Sequence, residues 1–403
     1  MMTTKNISLT AFVSLLSLTM VGEGMITVTL LWTSASIGQS PLFIGIVLFV
    51  MNLVPFIAQF LFKPLRKAIE DSPVRMIIAP RMLGVVAAVF AGMTFNATSV
   101  GPLIVIASCL TFITFISQQC IETLMGQLTV AGVLDAKTSA RLSQTALQTG
   151  VFIGNALAGL VIARFGTSLV FYGIAVSFAS SLLLLLVAPS LGLDTHNKSD
   201  GSTPKTVMAA ATQRNDVALW VLLIGMGALA VQLSGFNFFV PLIYEGRSGD
   251  SAAVYGSISA AAGIGALVAT FLSTANRWYL AYASCLVVVV GDIMVVQTTS
   301  IIAAILFAFG IGFGFNTSRI AVRQAIFERL SSKADSAVWG GRVTLAFRAV
   351  AAGAPLLFGL LLTGQTITNN SWLFTGVGIL VMGILIPLLM FVIRQKSPVA
   401  NPA

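Results

Sequence analysis

Charge is what this 403-residue sequence has least of. Charged residues make up 9% and hydrophobic residues 57%, whereas a soluble domain carries about 25% charged residues. A water-soluble core could not hide that much apolar surface, and a bilayer removes the need. Histidine is almost missing: His196 is the single one and lies in a polar stretch, so neither a metal centre nor His-based catalysis is expected. Cysteine is also scarce. Cys109, Cys120 and Cys285 are scattered through apolar segments, with no disulfide framework or metal spacing, and read as small packing residues. No Gly-x-x-x-x-Gly-Lys loop is present, so the chain has no phosphate cradle and is not expected to hydrolyse ATP. No cofactor follows from the sequence.

What is present is a series of long apolar runs. They cover about 8–33, 40–62, 75–96, 100–126, 140–163, 167–189, 216–243, 252–273, 278–297, 300–324, 337–363 and 371–393, each long enough to cross a ~30 Å hydrocarbon layer as a helix. Lipid admits only helices or closed barrels, and these runs are far too long for barrel strands of ~10 residues. The first run is too long for a signal-peptide core and no small-residue cleavage site follows it, so it is expected to be span one. Turn chemistry marks the breaks, as in Asn96-Ala-Thr-Ser-Val-Gly101, Arg164-Phe-Gly166 and Thr368-Asn-Asn-Ser371. The expected fold is all-α, twelve transmembrane helices in two six-helix bundles. Residues 1–190 and 216–403 form the halves, joined by a polar linker over 191–215 that carries Asp194, Lys198, Asp200, Gly201 and Pro204. A repeat echo, Gly159-Leu-Val-Ile in span five and Gly359-Leu-Leu-Leu in span eleven, agrees with two related halves.

The net charge of +9 is a topology signal. With the N-terminus inside, sixteen Lys and Arg fall at cytoplasmic ends: Lys5, Lys63, Arg66, Lys67, Arg75, Lys137, Arg141, Lys198, Lys205, Arg214, Arg277, Arg323, Arg329, Lys333, Arg394 and Lys396. Only Arg164 and Arg247 lie opposite. That bias orients both termini to the cytoplasm and argues against a nucleic-acid partner.

Two stretches are similar to known motifs. Span five reads Gly150-Val-Phe-Ile-Gly154-Asn155-Ala-Leu-Ala-Gly159 after Ala140-Arg-Leu-Ser-Gln144. It resembles the Gly-x-x-x-Gly-Pro-x-x-x-Gly pattern of export-type branches of the major facilitator superfamily, with Asn155 where proline is usual. Span eleven opens Trp339-Gly-Gly341-Arg342-Val343-Thr344 and runs on to Pro355 and Gly359. This is similar to a stretch in the branch that holds siderophore exporters and macrolide-type efflux pumps. The loop after span two, Lys63-Pro-Leu-Arg66-Lys67-Ala-Ile-Glu70-Asp71-Ser-Pro-Val-Arg75, resembles the superfamily's basic loop without its glycines. The span-four arginine usual in drug/proton antiporters is replaced by Gln118, Gln119 and Glu122.

The resemblance implies a major facilitator fold in a bacterial inner (plasma) membrane, monomeric, with spans one, four, seven and ten lining a central cavity. It also implies a conformational-switch motif at Asp71, Arg75, Gly341 and Arg342. The activity it implies is secondary transport of a small organic molecule by alternating access, with proton-coupled siderophore export placed first. A multidrug efflux pump and an importer of an organic acid or sugar remain open. Accumulation in a deletion strain would separate an exporter from an importer. A membrane-embedded enzyme would need clustered His, Asp or nucleophile residues at one depth, and none is evident.

Ionisable groups within spans are the leads, since each costs ~2.5–3.5 kcal/mol at mid-helix on insertion scales. Glu23, between Gly22 and Gly24 in span one, is the candidate proton carrier; the bland alternative is a Glu paired with Arg to fix packing. Arg348 lies near the middle of span eleven and cannot shed its proton, so it reads as a substrate contact or a partner of Glu23 or Asp292. Arg319 and Arg323 are one turn apart and share a face with Asn316; with Glu122 they suggest a gate or an anchor. Arg81 and Arg342 are expected to snorkel to the cytoplasmic surface, and Asp292 to serve a structural pairing. Among neutral groups, Gln118, Asn155, Gln232, Asn237 and Asn316, with Asn52, Gln59, Gln144, Gln148, Ser234 and Tyr255, could touch a ligand or bond neighbouring helices. Gly256, Gly263 and Gly265, like Gly150 and Gly154, read as close-packing positions.

Overall fold

A computed structural model describes residues 4–38, 40–61, 68, 73–95, 100–130, 136–184, 217–247, 251–272, 278–327, 333–364 and 370–394. These form twelve α-helices and no strand among the described residues. The first half holds α1 (Thr4–Gly38), α2 (Pro41–Leu61), α3 (Pro73–Thr94), α4 (Val100–Val130), α5 (Ala136–Phe165) and α6 (Thr167–Ala179). The second holds α7 (Val217–Glu245), α8 (Ala252–Leu272), α9 (Trp278–Gln297), α10 (Ile301–Phe327), α11 (Lys333–Leu361) and α12 (Trp372–Arg394). The twelve helices match the twelve expected spans. Eight are long and apolar enough to cross a membrane, and the other four carry shorter apolar stretches, Pro41–Val54, Gly101–Ser117, Thr167–Leu183 and Leu345–Leu361. α6 departs from expectation by tightening into a 3-10 turn at Ser180–Leu183. The expected linker over 191–215 lies outside the described residues.

Gly166, between α5 and α6, has φ 84°, a left-handed conformation that a side chain resists and glycine accepts. This is the turn that Arg164-Phe-Gly166 signals.

The packing repeats between the halves. α1 packs on α5 and α6, α3 on α4 and α6, and α2 on α4. The counterparts are all there: α7 on α11 and α12, α9 on α10 and α12, and α8 on α10. Across the halves, α5 meets α8 and α2 meets α11.

The apolar core has an uneven shape. At the bundle end away from the N-terminus, one cluster joins both halves, with Leu30, Val47, Phe95 and Phe171 beside Phe238, Tyr255, Ile258 and Phe374. At the other end there are two clusters. One belongs to the first half, around Phe12, Leu16, Ile77, Phe115 and Ile121. The other belongs to the second half, around Leu222, Val288, Val322, Trp339 and Leu385. Among the described residues, the apolar interiors of the halves are therefore welded at one end and separate at the other.

Glycines set the closest helix approaches. A Cβ on Gly154 would strike the Val21 carbonyl oxygen, and one on Gly24 the Val151 carbonyl, so α1 and α5 touch backbone to backbone. Gly159 and Gly256 place α5 against α8, Gly263 faces Phe152, and Gly265 and Gly312 hold α8 on α10. Interiors this tight do not absorb added methyl groups. Replacing Gly154 by Val is expected to lower stability by about 1–3 kcal/mol, measured as a fall in the thermal unfolding midpoint of the purified protein in detergent. Replacing Gly353, which a Cβ would leave without a contact within 4 Å, serves as the control and should leave the midpoint nearly unchanged.

Candidate functional site

The site grows from the Gly22-Glu23-Gly24 step of α1. With no side chain on either flank, α5 and α6 can press close. The Gly22 N–H donates to the Ser177 hydroxyl of α6 at 2.7 Å. Glu23 is 5% exposed, and its side chain turns toward α3. There its Oε1 accepts from Arg81 Nη2 at 3.3 Å.

Arg81 is fully buried. Its Nε donates to the Ser117 hydroxyl of α4 at 3.0 Å. Its guanidinium also lies 5.6 Å from the centre of the Phe178 ring of α6, and Nη2 is 3.9 Å from the Met20 sulfur. Nη1 has no hydrogen-bond partner. Four helices, α1, α3, α4 and α6, thus converge on one cation. This overturns the expectation that Arg81 snorkels: a carboxylate, a hydroxyl and an aromatic face hold it inside. Arg81 is a cation at Glu23, and Gln232 is a neighbour of Asp292. Arg348 places its guanidinium 4.6 Å from the Phe115 ring of α4, a contact from α11 across to the first half.

A second polar node crosses the halves. Asn155 of α5 donates its amide nitrogen to the Gly24 carbonyl of α1 at 2.9 Å and to the Val151 carbonyl of its own helix at 3.2 Å, while its oxygen accepts from the Ser259 hydroxyl of α8 at 2.9 Å. Because Gly24 follows Glu23, one residue links the acid's backbone to the seam between α5 and α8. Nearby on the welded side, Trp32 stacks on Tyr255 with ring centres 5.9 Å apart.

In the second half, Gln232 of α7 donates to Asp292 of α9 at 2.8 Å, and Ser234 donates to the Ala351 carbonyl of α11 at 3.4 Å. Asn316 of α10 donates to the Ala266 carbonyl of α8 at 2.6 Å. Arg319 lies 5.4 Å from the Phe347 ring of α11. Arg323 and Asn237 are partly buried. Arg342 lies over both Trp220 and Trp339, at 5.3 and 4.8 Å from their ring centres. Arg75 is exposed at the start of α3. Gln118 and Glu122 belong to α4, with their side chains outside the described part, and Gly341 belongs to α11. Asp71 lies outside the described residues.

The comparisons fit this architecture. The family model described as Major Facilitator Superfamily matches residues 8–323, and the chain belongs to that superfamily of transporters. It is therefore a transporter of small molecules with multiple membrane-crossing helices. Among solved structures it is similar to the nucleoside transporter NupG, with a TM-score of 0.65, 13% identity, and 98% of this chain and 100% of that one covered. It is also similar to a bacterial homologue of the human lysosomal transporter Spinster, inward-facing and occupied, with a TM-score of 0.59, 15% identity and 98% of each chain covered. At such identities the likeness is one of fold. No curated protein matches the sequence.

Arg81 is the buried charged residue that the sequence placed at the surface. A signal existed: it lies eight residues into α3, ~12 Å along the axis, and follows Pro80 inside the helix. Deleting only one member of a buried ion pair strands the other, at a cost of about 3–5 kcal/mol. Arg81→Met is expected to destabilise by that order in thermal unfolding. The double variant Arg81→Met, Glu23→Gln should recover part of the loss, because no lone charge remains inside.

Proposed function

We propose that this transporter works by alternating access and couples proton movement to export of a small organic molecule, a siderophore being the first candidate. The observation that carries the coupling is the buried Glu23–Arg81 pair. An arginine keeps its proton at any attainable pH, so the variable member is Glu23. Ionised, it is held by Arg81; protonated, it releases that cation's charge to another acceptor, such as an anionic group on the cargo. Arg81 Nη1, which has no hydrogen-bond partner, is a donor such a group could use.

The core shape suits a two-state machine. If the termini are cytoplasmic, as the positive-inside bias argues, the welded end is external and the separated end opens inward. Rocking would break the seams of α5 on α8 and α2 on α11 and form new ones at the other end. Asn155 supplies the link from Glu23 to that seam. Arg348, facing α4 from α11, together with Arg319, Arg323, Glu122, Gln118, Gln232, Asn237 and Asn316, makes up the proposed set for cargo contact or gating. Asp71, Arg75, Gly341 and Arg342 form the proposed conformational switch. A potential of ~150 mV contributes ~3.5 kcal/mol per proton, enough for a gradient of a few hundred-fold. The export direction and the siderophore cargo rest on the span-five and span-eleven motifs. The whole is read as a monomer of a bacterial inner membrane, its two six-helix units 1–190 and 216–403 joined by the 191–215 linker.

The test uses the purified protein in lipid vesicles with an imposed pH gradient and a labelled siderophore. Accumulation against the cargo gradient should follow the pH gradient and collapse with an uncoupler. Glu23→Gln should lower accumulation at least ten-fold while downhill exchange persists. Normal gradient-driven accumulation by Glu23→Gln would remove the coupling role, and cargo moving only with an organic-acid or sugar probe would replace the exporter reading with an importer.

A further inference from the structure

Asp292 stands apart from the Glu23 site. It is fully buried, sits in α9, and touches a single polar side chain, Gln232 of α7. Two acceptor atoms of this pair lack a donor: Asp292 Oδ1 and Gln232 Oε1. From α12, Gly378 presses on the carboxyl so closely that a Cβ there would collide with Asp292 Oδ2. Among the described residues, no cation pairs with the acid. On α7 and just beyond it, Tyr244 donates to the Val295 carbonyl and Arg247 to the Val296 and Thr298 carbonyls, which engages both groups with the backbone at the end of α9 and just past it. From α10, the apolar Ile311 side chain and the Phe307 backbone carbonyl lie against Gly291. The cations of α10, Arg319 and Arg323, lie eight and twelve residues beyond Ile311, ~12 and ~18 Å along the helix. On α12 the charged residue is Arg394, sixteen residues past Gly378.

A carboxylate ion in such a place would be a lone charge inside a lipid-surrounded bundle, which is strongly disfavoured. One proton resolves all of it. Placed on Asp292 Oδ1, it removes the charge and supplies the missing donor. The new O–H can donate to Gln232 Oε1, while Gln232 Nε2 keeps donating to Oδ2. Acid and amide then share two hydrogen bonds, and neither orphan remains. The carboxamide of an asparagine could fill the same space without exchanging a proton, so an acid here holds something a structural amide would not.

We propose that Asp292, Gln232 and Gly378 form a proton-binding site in the second half, loaded in this conformation. It is separate from Glu23, and it mirrors that pair in topology. Glu23 and Arg81 join the first and third helices of their half across 58 residues, and Gln232 and Asp292 join the first and third helices of theirs across 60. Unloading transfers the Asp292 proton to water and leaves a carboxylate, which must be met by rehydration when the halves move. The inference does not rest on the Glu23 reading.

The test is infrared difference spectroscopy of the full chain in lipid vesicles, with pH as the only variable and sodium chloride added separately at fixed pH. The wild type should show a protonated-carboxyl absorption that is lost in Asp292→Asn and retained in Glu23→Gln. It should fade as pH is raised and ignore sodium. Gly378→Ala, which keeps the acid but crowds it, should shift the absorption; it also covers the case in which Asp292→Asn does not fold. Absence of any Asp292-dependent absorption at every pH would overturn the proposal, as would an absorption that never responds to pH or one that Gly378→Ala leaves in place. Loss on adding sodium at constant pH would make it a sodium site instead.

Discussion

A charge enclosed by lipid-facing helices must be answered by a partner or neutralised, and that constraint organises this molecule. Arg81 cannot be neutralised, so the fold brings Glu23, Ser117 and the Phe178 ring to it from three other helices. The packing of α1, α3, α4 and α6 is thereby tied to one ionic contact. In the second half the same topological place is taken by an acid and an amide, with glycine leaving the room. The two halves share helix packing and differ in the chemistry at their centres.

Close backbone contact is the second device. Without a hydrophobic force between helices in lipid, association relies on packing and on interhelical hydrogen bonds. The α1–α5, α5–α8 and α8–α10 contacts are made by glycines, which let smooth surfaces meet with few interlocking side chains. Surfaces of this kind can separate and re-form. Asn155 gives the α5–α8 seam its polar register through Ser259, while its bond to Gly24 keeps α1 in step.

Much of the fold was legible from the residues. Runs of ~20 apolar residues in a charge-poor chain leave helices as the only solution in lipid, and the twelve helices fall where the runs do. The glycine positions in spans five and eight were readable as packing surfaces because a missing side chain has one common use there. Pairings were harder. Glu23 stood out as an ion inside a span, but along the chain Arg348 was the partner that suggested itself and Arg81 read as a snorkelling residue. Rise per residue places a side chain in depth; it does not say which neighbouring helix the side chain faces.

The sequence by itself determined the solvent, the number of spans and, through charge asymmetry, an expected orientation, because each of these depends on local composition summed along one segment. The tertiary structure alone decided that Arg81 lies inside rather than at the surface, that Asp292 meets the amide of Gln232, and that, among the described residues, the buried apolar cores of the halves merge at one end and form two clusters at the other. Those are properties of helix rotation and of contacts between residues some sixty to two hundred positions apart, and no single segment encodes them.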